Sequence, residues 1–243
     1  MSLLTICQDA ADEVGINKPS AIAGVASNED ARKLFRLANK IGNRLMKNFV
    51  WKELTEEQTY TAVAGSEQTS ILPSDFDRFV PETMWDRTND IHIVGPIKAV
   101  EWQGYQAVSN TSVARKFYHR GSSIYMASDM DGGESLAFEY VTKNWAEDSS
   151  GTDQAKFEAD TDTAKLDEEL ITLGVVYEYL KSKGLPTGEA RHDYIKYFRT
   201  LRGNDKPSGG VIPAGDIFGG RGYAEGNRRF GGAPFASRSG GLF

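Results

Sequence analysis

Apolar residues recur at helical spacing near both ends of this chain, while strand-like alternation is confined to about residues 52–143. Strands and helices that are segregated in this way exclude a doubly wound sheet, where they would alternate. They predict an α+β fold. The expected architecture is a helical bundle built from N-terminal helices (1–50) and C-terminal helices (146–202). A mostly antiparallel β region (51–145) is inserted between them, and an extended glycine-rich arm (203–243) follows.

The first helix is expected from an N-cap at Ser2 to Val14, with Leu3, Ile6, Cys7, Ala10 and Val14 on one face and Gly15 as its left-handed stop. The second starts at Ser27 or Asn28. Glu29 and Asp30 favour its positive dipole end, and Ala31, Leu34, Phe35, Ala38, Ile41, Leu45 and Phe49 form its stripe. Ala38 and Gly42 are small enough to admit a neighbouring helix. Asp162 or Thr163 is the expected cap of a third helix carrying Leu166, Leu170, Leu173, Val176, Tyr177 and Leu180. Gly184 and Pro186 end it. A fourth runs from Gly188 to Arg202, with Ala190, Tyr194, Tyr197, Phe198 and Leu201 inward.

In the middle, Thr59–Val63 and Thr69–Leu72 read as a hairpin closed by a turn over residues 64–67. A polar corner follows. Pro73 cannot donate to a ladder and so closes a strand. Ser74 and Asp75 can cap one helical turn, which Phe76 and Phe79 anchor on a core. Phe79–Trp85 has strand composition, and Asp86–Asp90 is a turn. Further strands are expected over 91–94, 115–119, 123–126 and 135–142, with a helix over 97–108 anchored by Val100, Trp102, Tyr105 and Val108.

The residues suggest no chemistry of turnover. His92, His119 and His192 are scattered, and no acidic or thiol partner sits at ligand spacing. Asp129-x-Asp131-Gly132 has its glycine too early for a calcium loop and reads as a hairpin turn. Asp75, Asp77 and Glu82 could be cast as acid and base, but nothing nearby suggests a substrate pocket. The chain is therefore expected not to be an enzyme and to use no metal or cofactor. Cys7, the single cysteine, can form no internal disulfide. No apolar run approaches the ~20 residues that span a bilayer, and no signal peptide is evident, so a protein made in the cytoplasm is expected.

The net charge is −6, divided as +2 on residues 203–243 and −8 on the rest. An acidic body argues against a grip on nucleic acid, which needs clustered Lys and Arg. Twelve of the last 41 residues are glycine, with aromatics spaced among them. Alone, such a segment buries too little apolar surface to offset its ordering entropy. It suits an arm that lies in a partner's groove, each aromatic filling a pocket.

Several stretches resemble one family. Leu72-Pro73-x-Asp75-Phe76-x-Arg78, then Thr83-x-Trp85-Asp86-Arg87, Gly95-Pro96-Ile97 and Trp102-Gln103, are similar to the adaptor (head-to-tail connector) proteins of tailed phages. So are the opening residues 3–16, Leu37–Lys40 with Trp51, Phe138–Val141 with Trp145, and Ala159–Asp162 leading into Leu166–Glu168. The likeness covers about residues 1–202. It implies a structural virion protein with no catalytic role: a ring, usually of twelve copies, that sits below the portal protein and receives the tail nozzle or tube protein and the tail fibres. Pro73, Asp75, Phe76, Arg78, Trp85 and Asp86 would form its structural corner. Phe218, Arg221, Tyr223, Arg228, Arg229, Phe230, Phe235 and Phe243 would carry the arm onto the portal. Genome DNA would pass through the ring without specific binding. Two alternatives remain at this point: a nucleic-acid-binding protein with an Arg/Gly/aromatic tail, or another neck or head-completion subunit.

Overall fold

In the computed structural model, which describes residues 1–25, 27–107 and 115–205, helices occupy both ends of the chain and strands the middle. The fold is α+β. Helix α1 (Leu3–Glu13) is capped by the Ser2 side chain, which accepts from the Thr5 N–H, and Gly15 follows at φ +72°. Helix α2 (Glu29–Asn48) starts at Asn28, whose side-chain oxygen accepts from the N–H groups of Asp30 and Ala31 at 3.0 and 3.2 Å. Helix α3 (Ala99–Ala107) is anchored by Trp102 alone; Val100, expected inward, is 78% exposed. Val108 lies outside the described residues.

Helix α4 (Glu168–Ser182) is capped by neither Asp162 nor Thr163. Asp167 caps it, accepting from the Leu170 N–H at 2.8 Å. Asp162 instead turns the preceding loop, accepting from the N–H groups of Glu158 and Ala159. The end of α4 follows the sequence closely. Leu185 N–H bonds Leu180 C=O, Gly184 N–H bonds Lys181 C=O, and Gly184 sits at φ +71°, a Schellman stop. Helix α5 (Gly188–Asp205) runs three residues past Arg202. The side chain of Asp205 accepts from the Lys52 N–H at 3.2 Å. Residue 203 is therefore helical and does not begin an arm.

The strands are β1 (Thr55–Thr61), β2 (Gly65–Gln68), β3 (Phe76–Phe79), β4 (Trp85–Asp86), β5 (Ile91–His92), β6 (Phe117–Arg120), β7 (Ser123–Met130), β8 (Ser135–Thr142), β9 (Ala146–Glu147), β10 (Asp153–Gln154) and β11 (Thr163–Ala164). Every pair among them is antiparallel. β8 is the central strand. One flank pairs with all of β1, from Thr55↔Val141 to Thr61↔Ser135. The other is shared by β3 at one end (Phe79↔Tyr140) and β4 at the other (Trp85↔Ala137), with β5 beyond β4. A second sheet has the order β2-β7-β6.

The expected hairpin does not form. β1 takes β8 as its partner, and the would-be turn contains strand β2, which pairs with β7. Where the two strands part, the buried side-chain amide of Gln68 accepts from the Val63 N–H and donates to the Val63 carbonyl, both at 2.8 Å. That reciprocal pair satisfies the backbone where the chain leaves one sheet for the other. Residues 146–164, grouped with the C-terminal helices on sequence grounds, hold a third small sheet, β10-β9-β11. It still packs with the helices, since Ala146 and Phe157 belong to their core.

The described residues form two hydrophobic cores. The first gathers α1, α2 and α4 around Trp51, Trp145 and Phe157. All five residues expected to face inward on α5 pack against it, though none is fully buried. The second gathers Phe79, Phe117, Met126, Phe138 and Tyr140 from the two larger sheets. Gly42 does not receive a helix. It receives the indole of Trp145, and the close helix approach falls on Gly174 of α4 beside Ile41 of α2.

Candidate functional site

The corner predicted from sequence is the joint between the two cores. Phe76 N–H bonds Pro73 C=O at 3.1 Å and closes a tight turn, so Ser74 and Asp75 cap no helix. The Asp75 carboxylate accepts instead from Thr142 Oγ1 at 2.7 Å and the Tyr140 hydroxyl at 3.1 Å, which pins the turn to the end of β8. Burial, with Glu56 and Asp75 close by, pushes the Tyr140 phenol pKa up. Residues 71 and 72 are not in a strand, because β3 starts only after the turn.

Arg78 projects from β3 to the end of α2. Its guanidinium donates to the carbonyls of Met46 at 2.9 Å and Phe49 at 2.7 Å, and pairs with Asp77 at 2.7 Å. The last carbonyls of a helix lack partners in the helix and carry its negative dipole end. One planar cation satisfies both needs and ties the β region to the bundle. Phe76 and Phe79 anchor the corner as expected, their rings 4.8 Å apart and both near His119.

The strand expected from Phe79 to Trp85 is broken at residues 80–84. The Thr83 hydroxyl accepts from the Glu139 N–H at 3.1 Å, so β8 keeps a partner across the break. Trp85 is 38% exposed, packs on His92 at 5.1 Å, and lines a hollow of about 390 Å3 with Glu57 and Arg87. Asp86 is fully buried. It accepts from the N–H groups of Thr88 and Asn89 and from Asn89 Nδ2 at 3.0, 3.1 and 2.8 Å, and pairs with Arg115.

The residues considered for acid–base chemistry do not converge. Asp75 and Asp77 are held in the joint, and Glu82 is an exposed residue at φ +63°. Among the described residues, no three His, Cys, Asp or Glu side chains are gathered where they could hold a metal. No helix among them is long and apolar enough to cross a membrane. Cys7 is buried, and burial together with Asp160 pushes its thiol pKa up to about 12, so it is a packing residue.

A surface that sequence reading passed over lies on α2. This helix carries Arg32, Lys33, Arg36, Lys40, Arg44 and Lys47 against Glu29 and Asp30, a local excess hidden by the acidic total. Lys40 and Arg44 reach Glu178 of α4 at 2.7 and 2.5 Å. Burial opposes the charge on Glu178, but hydrogen bonds and charge from the two cations outweigh it, and its pKa lies below the ordinary 4.5. A carboxylate depressed by folding contributes stability above about pH 4.5 that is lost as pH falls through its folded value. Denaturation across pH should therefore show a stability gap between wild type and Glu178→Gln that is largest at neutral pH and closes in acid. A gap that does not change with pH would mean the pair has no linkage to folding.

The arm residues Phe218, Arg221, Tyr223, Arg228, Arg229, Phe230, Phe235 and Phe243 lie outside the described residues. No protein-family model matches the chain, and no curated protein does.

Proposed function

We propose that this chain is a structural adaptor of a tailed phage, joining the portal to the tail as one subunit of a ring. One observation carries most of the support. The residues that carry the resemblance are packing and joint residues: Asp75 pins the turn to β8, Arg78 closes α2, Asp86 is a buried ion-pair partner and Trp145 fills the bundle core. A scaffold whose role is to hold partners in fixed geometry is expected to keep its signature in such places.

In this reading the body forms the ring wall, and the exposed Trp85 beside its hollow offers a docking point for a tail component. The arm, with Arg221, Arg228, Arg229 and its aromatics, docks on the portal by coupled folding and binding, so one arm binds weakly. In a ring, each docked arm raises the effective concentration of the next, and the set binds strongly. The free chain at low concentration is then monomeric.

The test is co-sedimentation with portal rings of the phage that carries the gene, comparing the full chain with one stopped after Asp205. That stop keeps the contact between Asp205 and Lys52. Portal binding by the full chain and not by the truncation is the expected result. Equal binding by both would move the interface to the body, and binding by neither would end the adaptor reading. A second reading, a nucleic-acid-binding protein, draws on the cationic face of α2. It requires oligonucleotide binding that falls steeply with salt.

A further inference from the structure

Arg32, Arg36, Lys40 and Arg44 recur every four residues along the outside of α2, a ridge of ~18 Å at 1.5 Å per residue. Lys40 and Arg44 share Glu178, whereas Arg32 and Arg36 are exposed and make no salt bridge among the described residues. Beside the ridge runs a groove of about 600 Å3, with Phe35 and Leu37 in its lining and Lys33, Arg36 and Lys156 around it. It is an apolar groove with a cationic rim, bounded by α2, by Ser182 at the end of α4 and by Lys156, and Arg32 and Arg36 beside it are exposed.

The opposite charge gathers elsewhere. Asp9 and Glu13 stand one turn apart on α1, and α4 and α5 add Glu169 and Asp193. Burial and the three other carboxylates raise the Glu13 pKa, and no cation is among the charges acting on it. Glu169 and Glu178 are nine residues apart on α4, which at 100° per residue places them on opposite sides of that helix. Glu178 faces α2, so the acidic patch faces away from the ridge. The two surfaces cannot meet within one chain.

We propose that the α2 ridge of one molecule docks on the α1/α4/α5 acidic patch of a second copy of this chain, in a heterologous, head-to-tail contact. The occupant follows from charge. The patch supplies what the ridge lacks, and a polyanion brought to the ridge would also approach a body whose charge is −8 outside residues 203–243. Contacts of this sort repeat from copy to copy and close into a ring or run on as a filament. Exposed ion pairs each contribute little to affinity and act mostly on encounter and salt dependence. The contact is therefore weak in dilute solution and gains weight where copies are concentrated. It deepens the ring reading, but its test contains no portal, so either can fail alone.

The experiment is sedimentation of the full chain at increasing concentration and at low and physiological salt. Wild type should associate at low salt and lose about tenfold in affinity as salt is raised. R32E/R36E and E13K/D193K, all at exposed positions, should each remain folded by circular dichroism and lose about tenfold or more in self-association. Mixing the two variants should restore it, because each altered face then meets its opposite on the other molecule. Three results would overturn the proposal: wild type monomeric at every low-salt concentration, variants that associate like wild type, or a mixture that does not recover. Oligonucleotide binding lost in R32E/R36E with self-association intact would also overturn it, and would assign the ridge to nucleic acid.

Discussion

Replacing Arg115 by alanine should destabilise the body by about 3 kcal/mol, toward the lower end of the range for breaking a buried ion pair. Asp86 is wholly buried and, among the described residues, Arg115 is its only cationic partner; its other contacts there are three neutral donors from Thr88 and Asn89. Without the guanidinium, a fully buried carboxylate is left without its countercharge. The Arg115 side chain is itself 21% exposed, so water can reach the vacated space, and that sets the estimate at the lower end. Removing the acid instead should cost less, because Asp86→Asn keeps an acceptor for the turn and frees a cation that already touches solvent.

Urea denaturation of the two variants beside wild type at neutral pH measures both losses, and Arg115→Ala should lose more than Asp86→Asn. A loss below about 1 kcal/mol in Arg115→Ala would mean that water replaces the guanidinium at little cost.

How far the sequence reveals this fold depends on whether the signal is local. The helix ends were legible because their determinants lie within a few residues: Ser2 and Asn28 as caps, and Gly184 followed by Leu185 as a stop. The five inward residues of α5 were legible for the same reason, since periodicity reports a face. Strand partners were not. β1 carries polar residues along both faces and pairs with a strand some eighty residues away, a partner that no nearby residue specifies. Asp75 is a good cap in isolation and became a partner of Thr142 and Tyr140 only through β8.

The candidate surfaces follow the same division. Pro73, Phe76 and Arg78 stood out as a corner, yet nothing local says that Arg78 reaches the carbonyls of Met46 and Phe49. The cationic ridge was written in the sequence at four-residue spacing and was lost in the net charge. Summing charge over a whole chain erases what a helix sorts by face. The acidic patch could not have been read at all, because it joins α1 at one end of the chain to α4 and α5 at the other.

Alanine in place of each of three helix glycines should give three different results. Gly104 has nothing within 4 Å of the new methyl, so Gly104→Ala should gain up to about 1 kcal/mol from helix propensity alone. At Gly174 the methyl would stand 2.8 Å from Ile41 Cγ2 and 3.1 Å from Tyr194 Cε2, and Ile41 is a buried β-branched residue of the core. Overpacking there should exceed the gain in propensity, though by less than at Gly42. At Gly42 the methyl would fall 2.2–2.5 Å from three carbons of the Trp145 ring. That indole cannot retreat easily. It is fully buried, holds Asn43 Oδ1 through its N–H at 3.2 Å, abuts Phe157 at 4.7 Å, and is followed directly by β9, which is paired on both sides. Overpacking at such a site exceeds the propensity gain, and Gly42→Ala should lose about 2 kcal/mol or more. That loss would lower the melting midpoint by several degrees. Shortening the ring should relieve the clash, so Gly42→Ala should cost less in a Trp145→Phe background than in wild type, a coupling that a double-mutant cycle measures. If Gly42→Ala is as stabilising as Gly104→Ala, the indole has room to move, and the close approach of α2 to Trp145 is not what fixes the helical core.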